Sequence, residues 1–209
     1  FLTIPIVDLN KEPLKHFLLL MRRDSQNRRL TNYFVNKKGI RKNCNLSHLR
    51  IPEGKKLTSH ILKAEISHFS ENIDFSSKDY LQFGLEKVKF DDPYLFKEKG
   101  DATHTYDLHN KYLSNVLFEV VSETDTSKCL FLTEKTCKPL LLKAPFILLG
   151  NPFSLRFLKQ LGFKTFDKVI DESYDEEVNT YSRINKALNE AQKLCDKSLK
   201  QCQADLSTL

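Results

Sequence analysis

Apolar positions in the first quarter of the chain come in short continuous runs. Residues 3–9 are apolar with β-branched members, and after Pro13 the run 16–21 is continuous enough for a strand buried on both faces. The polar stretch 22–27 follows. Residues 28–38 then place Leu30, Tyr33 and Phe34 on one side of a predicted helix that stops at Gly39. Residues 44–49 predict a third strand, whereas 52–100 is mixed, with weak periodicity and scattered turn residues. Regular patterning returns with a helix at 107–115 and a Val/Leu/Phe-rich strand at 116–121. A helix ending at Lys143 then precedes a buried strand at 145–149 that Gly150 closes. Pro139 lacks a backbone donor, so that helix is expected to begin near Lys138 or to be kinked. Pro152 and Ser154 open a helix through Leu161, Gly162 caps it, and 163–166 predicts a last short strand. From 175 to about 206, Ile184, Leu188, Ala191, Cys195, Leu199 and Cys202 recur at helical spacing. They predict one long amphipathic helix with both cysteines on its apolar stripe as small buried residues.

Strands alternating with helices predict an α/β fold, a Rossmann-like parallel sheet with flanking helices. The expected organisation is an N-terminal strand at 1–14, an α/β domain at 15–183 with an irregular insertion near 52–100, and an amphipathic helix at 184–209. The long helix either braces the rest of the chain or pairs with a second copy.

Composition narrows the class. The 209 residues are 40% hydrophobic, enough for a sizeable core, and 29% charged, with no apolar run of the roughly 18 residues a bilayer span needs. A soluble protein is expected. Five cysteines, an odd number without C-x-x-C spacing, predict neither a disulfide framework nor a zinc knuckle and favour a reducing, cytoplasmic setting. The chain opens on Phe1 without the charged n-region of a secretory signal, which reads as a processed chain or an excised fragment. The net charge of +6 is uneven: residues 1–63 hold 14 Lys+Arg against 4 Asp+Glu, and the other 146 hold 19 against 23. One end is suited to anions.

Three clusters are suited to chemistry. Arg22, Arg23, Arg28 and Arg29 sit between an apolar strand and the first turn of a helix, where guanidinium groups and unpaired helix N–H donors match phosphate oxygens. Solvated surface charge is the alternative. Glu123 and the run Thr133-Glu134-Lys135-Thr136 lie between a buried strand and the next helix, the edge where open α/β sheets bind ligands. A carboxylate there can accept ribose or sugar hydroxyls, and Lys135 can neutralise a phosphate. Equally, Thr133 or Thr136 can cap the helix, with Glu134 serving its dipole. The acidic run 171–175 suits either a metal or the capping of the helix that follows. There is no D-x-D, H-E-x-x-H, P-loop or strand-linked G-x-G-x-x-G, and the six histidines are scattered.

The stretch Glu119-Val-Val-Ser-Glu123, Phe131-Leu-Thr-Glu134-Lys135-Thr, Pro145-Phe-Ile-Leu-Leu-Gly150 resembles the donor-binding half of the α-1,3-fucosyltransferase family. That family's pattern is an acidic residue after a strand, Y/F-x-T-E-K, a helix, a strand and a glycine. The strand and helix with Arg28 and Arg29 are similar to its arginine-bearing unit. Residues 15–183 also look like uncharacterised glycosyltransferase-like proteins of bacteria and their viruses, which share G-F-K-T-F (162–166) and D-E-S-Y-D (171–175). The resemblance implies the C-terminal, nucleotide-binding lobe of a GT-B glycosyltransferase, with 1–14 a remnant of an acceptor lobe. It implies a metal-independent enzyme that takes a nucleotide-sugar as co-substrate and needs no cofactor. Carried over, Arg28 or Arg29 and Lys135 hold the diphosphate, and Glu123 and Glu134 meet ribose or sugar hydroxyls. Lys138-Pro139 departs from the residues usual after T-E-K. The acceptor, a glycan or a modified nucleic acid, is left open. The contrasting classes are a nucleic-acid-binding protein using the basic N-terminal segment, with salt-sensitive affinity, and a non-catalytic nucleotide-sugar-binding module.

Overall fold

In the computed structural model, residues 13–21, 24–48, 57, 59–88, 115–124 and 129–209 are described. The strand expected at 3–9, the N-terminal segment up to residue 12, most of the helix expected at 107–115, Arg22 and Arg23 lie outside them.

Four parallel strands form one sheet in the order β2-β1-β3-β4: β1 Lys15–Met21, β2 Cys44–His48, β3 Val116–Ser122 and β4 Phe146–Leu149. Register pairs Phe17 with both Cys44 and Phe118, and Glu119 with Phe146. β1, β3 and β4 are mostly apolar and all four strands are largely buried, because helices cover both faces of the sheet. The protein is thus an α/β, Rossmann-like fold.

Helix α1, Gln26–Lys37, follows β1 and ends before Gly39, whose φ of 69° is the left-handed conformation glycine adopts without a Cβ clash. The span read as an irregular insertion carries helix α2, Ser59–Phe69, and a short helix α3, Ser77–Asp79, that runs into the π-helical turn Tyr80–Gly84. Phe69, Phe75 and Tyr80 join Tyr33, Phe34 and Tyr181 in an aromatic cluster with ring centroids about 5 to 6 Å apart. A Cβ at Gly84 would stand 3.1 Å from the Arg29 carbonyl oxygen and 3.2 Å from the Tyr80 ring, so this close approach to α1 depends on glycine. The described part of the insertion, residues 59–88, therefore contributes to the core.

Helix α4, Glu134–Leu142, begins earlier than expected and keeps Pro139 in its interior. Thr133 caps its first turn and fixes the start upstream of the proline, in a helix short enough that a single backbone donor is lost. Helix α5, Ser154–Gln160, is followed by Gly162 at φ 88°. No strand forms at 163–166: Glu172 takes the Phe166 N–H at 2.9 Å and the Thr165 hydroxyl at 2.8 Å, while Phe166 packs edge-on against Phe146. The apolar signal there reports burial without strand pairing.

The single C-terminal helix is in fact two, α6 Thr180–Cys195 and α7 Leu199–Ser207. Ser198 and Gln201 form a capping box that starts α7, and the link between the helices lets the Lys197 carbonyl meet His16 Nε2 at 3.1 Å. The break carries the apolar stripe from α1 round to β3 and buries it within the chain. Among the described residues no helix is long and apolar enough to cross a membrane.

Cysteine chemistry provides a check on this packing. Cys129 and Cys137 are exposed, Cys195 is half-buried, and Cys44 and Cys202 are buried, with burial pushing the Cys44 thiol up to about 12. A thiol reagent at neutral pH is expected to modify Cys129 and Cys137 first, and Cys44 and Cys202 only on unfolding. Mass spectrometry of timed samples reads the order; early labelling of Cys44 would contradict the packing of β2.

Candidate functional site

Strand order locates the functional edge. From β1 the chain moves outward to β2, and from β3 it moves the other way to β4, so the sheet reverses between β1 and β3. Ligands of open α/β sheets bind in the crevice beyond the carboxyl ends of the strands at such a reversal. Two segments emerge there: residues 24–25 with the first turn of α1, and residues 122–124 at the end of β3.

The two arginines of α1 part company. Arg28 turns toward β3 and donates from Nη2 to the Ser122 carbonyl at 3.1 Å and to the Thr124 hydroxyl at 3.4 Å. Arg29 points toward the insertion. Its Nε donates to Glu65 Oε2 at 3.1 Å, its Nη2 to Glu65 Oε1, and its Nη1 to Asp24. Tyr80 adds its hydroxyl to Glu65 Oε2 at 2.8 Å, and Asp24 Oδ1 lies 3.4 Å from His48 Nε2. Burial works against the Arg29 cation, but Glu65 and Asp24 outweigh it and hold the guanidinium firmly charged. With Glu65 and Asp24 already on it, Arg29 is a member of a structural ion pair, turned away from residues 122–124. Both side chains are almost fully buried, so neither adds to an outward basic surface.

Glu123 is likewise engaged within the protein. It is 0% exposed. Its Oε1 accepts from the Thr133 N–H at 2.8 Å and the Thr136 hydroxyl at 2.7 Å, and its Oε2 from the Thr133 hydroxyl at 2.7 Å. Its carboxylate therefore binds the start of α4, leaving no face for a sugar hydroxyl. Lys135 stands above it, with Nζ 3.1 Å from Thr133 Oγ1, 3.0 Å from Glu134 Oε1 and 3.8 Å from Glu123 Oε2. Glu134 is largely exposed. Burial pulls its carboxyl upward, but the Lys135 ammonium outweighs that and holds it below the usual range. Thr133 is also the helix cap, so the capping and ligand-binding readings of this run hold different residues: Thr133, Thr136 and Glu123 build the helix start, while Lys135 and Glu134 face outward.

Arg28 and Lys135 thus converge on the same three residues, 122–124, Arg28 through the main chain of Ser122 and Lys135 through Glu123. The acidic run does not join them. Asp175 receives the Leu155 and Arg156 N–H groups at 3.0 Å each, which anchors α5, and burial pushes its carboxyl up. Asp171 caps Ser173, and Glu172 serves Thr165, Phe166 and Lys159. None of these acids caps the helix that follows, whose cap is Asn179; among the described residues no group of three or more His, Cys, Asp or Glu is placed to hold a metal ion.

Glu65 and Tyr80 escaped the sequence reading, because nothing local marks a partner 36 residues from Arg29 or one 15 residues from Glu65, and Asp24, five residues before Arg29, escaped with them. Lys138 was noted only as a departure; it is buried on α4, where burial lowers its ammonium while Glu119 and Glu134 oppose the shift. No family model, no curated protein and no solved structure matches the chain.

Proposed function

We propose that the protein is a nucleotide-sugar-dependent glycosyltransferase, or the donor-binding lobe of one, that meets the donor diphosphate at the reversal between β1 and β3. The observation that carries this reading is the convergence of Arg28 and Lys135 on residues 122–124 at the carboxyl edge of a parallel sheet. Breaking a sugar–phosphate bond develops negative charge on the leaving diphosphate, and cations already in place stabilise it. Lys135, partly exposed, is the cation that contacts phosphate. Arg28 holds the end of β3 from within and adds positive potential, and Glu134 is placed to accept a ribose or sugar hydroxyl.

Calorimetry with GDP-, UDP- and ADP-sugars at fixed ionic strength tests the reading. Saturable binding to at least one donor, competed by the matching nucleoside diphosphate, is expected. Absence of binding across the panel rejects it.

A further inference from the structure

We propose that Glu123 is a positioning residue that fixes the Lys135 ammonium through the Thr133 hydroxyl, and that it makes no contact with the donor itself. Three observations carry this. Glu123 is fully enclosed, so no ligand atom reaches its carboxylate. Both of its oxygens are filled by Thr133 and Thr136, and the three donors all belong to the segment that starts α4. The Thr133 hydroxyl lies between the two charges, 2.7 Å from Glu123 Oε2 and 3.1 Å from Lys135 Nζ. With its hydrogen donated to the carboxylate, Thr133 Oγ1 turns a lone pair toward the lysine, so the buried charge orients the hydroxyl and the hydroxyl orients the ammonium. The 3.8 Å separation of Nζ from the carboxylate leaves the lysine steered yet still able to donate outward. Of its other partners, Glu134 is exposed enough to swing aside for an incoming anion.

The test uses Glu123→Gln, Thr133→Val and Thr133→Ser in the full chain. Val keeps the shape of Thr133 and removes the hydroxyl; Ser keeps the hydroxyl. The first readout is the rate at which acetic anhydride modifies Lys135, followed by mass spectrometry in proteins whose circular dichroism is native. The expected result is a rate several-fold above native in Glu123→Gln and Thr133→Val, restored in Thr133→Ser. The second readout, which rests on the proposed function, is affinity for inorganic pyrophosphate, expected to fall about tenfold in the same two variants and to recover in Thr133→Ser. Native labelling rates in folded Glu123→Gln and Thr133→Val would overturn the proposal. If Glu123→Gln does not fold, the Val/Ser pair decides alone. Changed labelling in a protein that binds neither pyrophosphate nor any nucleotide-sugar would keep the positioning role and reject the transferase reading.

Discussion

Replacing Glu65 by Ala is expected to cost about 3–5 kcal/mol of folding stability, the range found when one partner of a buried ion pair is removed. Glu65 accepts two donors from Arg29 and one from Tyr80, and it is the polar tie between α2 and α1. Without it, a guanidinium inside the protein keeps Asp24 alone, and the Tyr80 hydroxyl loses its acceptor. Urea titration followed by circular dichroism measures the loss, and in a chain of this size the melting temperature should drop on the order of 10 °C. Arg29→Met should be similarly damaging, because the buried Glu65 carboxylate and the partly buried Asp24 would then both lose their cation. The double variant Arg29→Met/Glu65→Ala should lose clearly less than the two single losses added, since the expensive state is the half-broken pair. Additive losses would mean that Arg29 and Glu65 do not interact energetically, and that the ion pair contributes nothing beyond packing.

Lys135→Ala is expected to weaken nucleoside diphosphate binding by roughly ten- to a hundredfold, the loss of one charge-assisted hydrogen bond to phosphate. Stability should change little, because the Lys135 side chain is partly exposed in a first turn that Glu123 and Thr133 already hold. Titrations at several salt concentrations add a second reading: the native affinity should fall with ionic strength more steeply than that of the variant, which has one cation fewer. Lys135→Arg should recover part of the affinity, since the charge returns on a longer, planar group. Unchanged affinity in folded Lys135→Ala would move the anion elsewhere and remove the ground for placing the donor at residues 122–124. Arg28 is a less clean probe, because a residue buried to this extent destabilises the end of β3 when truncated.

Much of the architecture was legible before the structure. The runs that became β1, β3 and β4 are largely apolar, and a sheet covered on both faces buries such runs, whereas β2, Cys-Asn-Leu-Ser-His, mixes polar and apolar residues. The helix between β1 and β2 announced itself by Leu30, Tyr33 and Phe34 at one side and Gly39 at its end, all local signals. Where local pattern misled, a distant partner had intervened. At 163–166 the apolar residues had a cluster to join but no strand to pair with, and Glu172 took the backbone N–H that a ladder would have used. Between α6 and α7 the apolar spacing continues unbroken through the cap at Ser198, so periodicity could not register the turn. In α4, Pro139 argued for a late start, and the carboxylate of Glu123, ten residues upstream of Thr133, supplied the early one.

The same division runs through the site. Residue types and order in the chain were enough to collect arginines after one strand and a Thr-Glu-Lys-Thr run after another, and to place both near the edge where α/β sheets bind ligands. They could not separate Arg28 from Arg29, because adjacent residues in a helix share every local signal and differ by about 100° in direction. Only the packed structure aims one at β3 and the other at Glu65. Nor could they tell that Glu123 faces inward and Glu134 outward, since burial of a carboxylate is decided by the donors that surround it, and those arrive from another part of the chain. Strand and helix identity is written in short-range periodicity. The assignment of each charge to structure or to ligand is a property of the assembled edge.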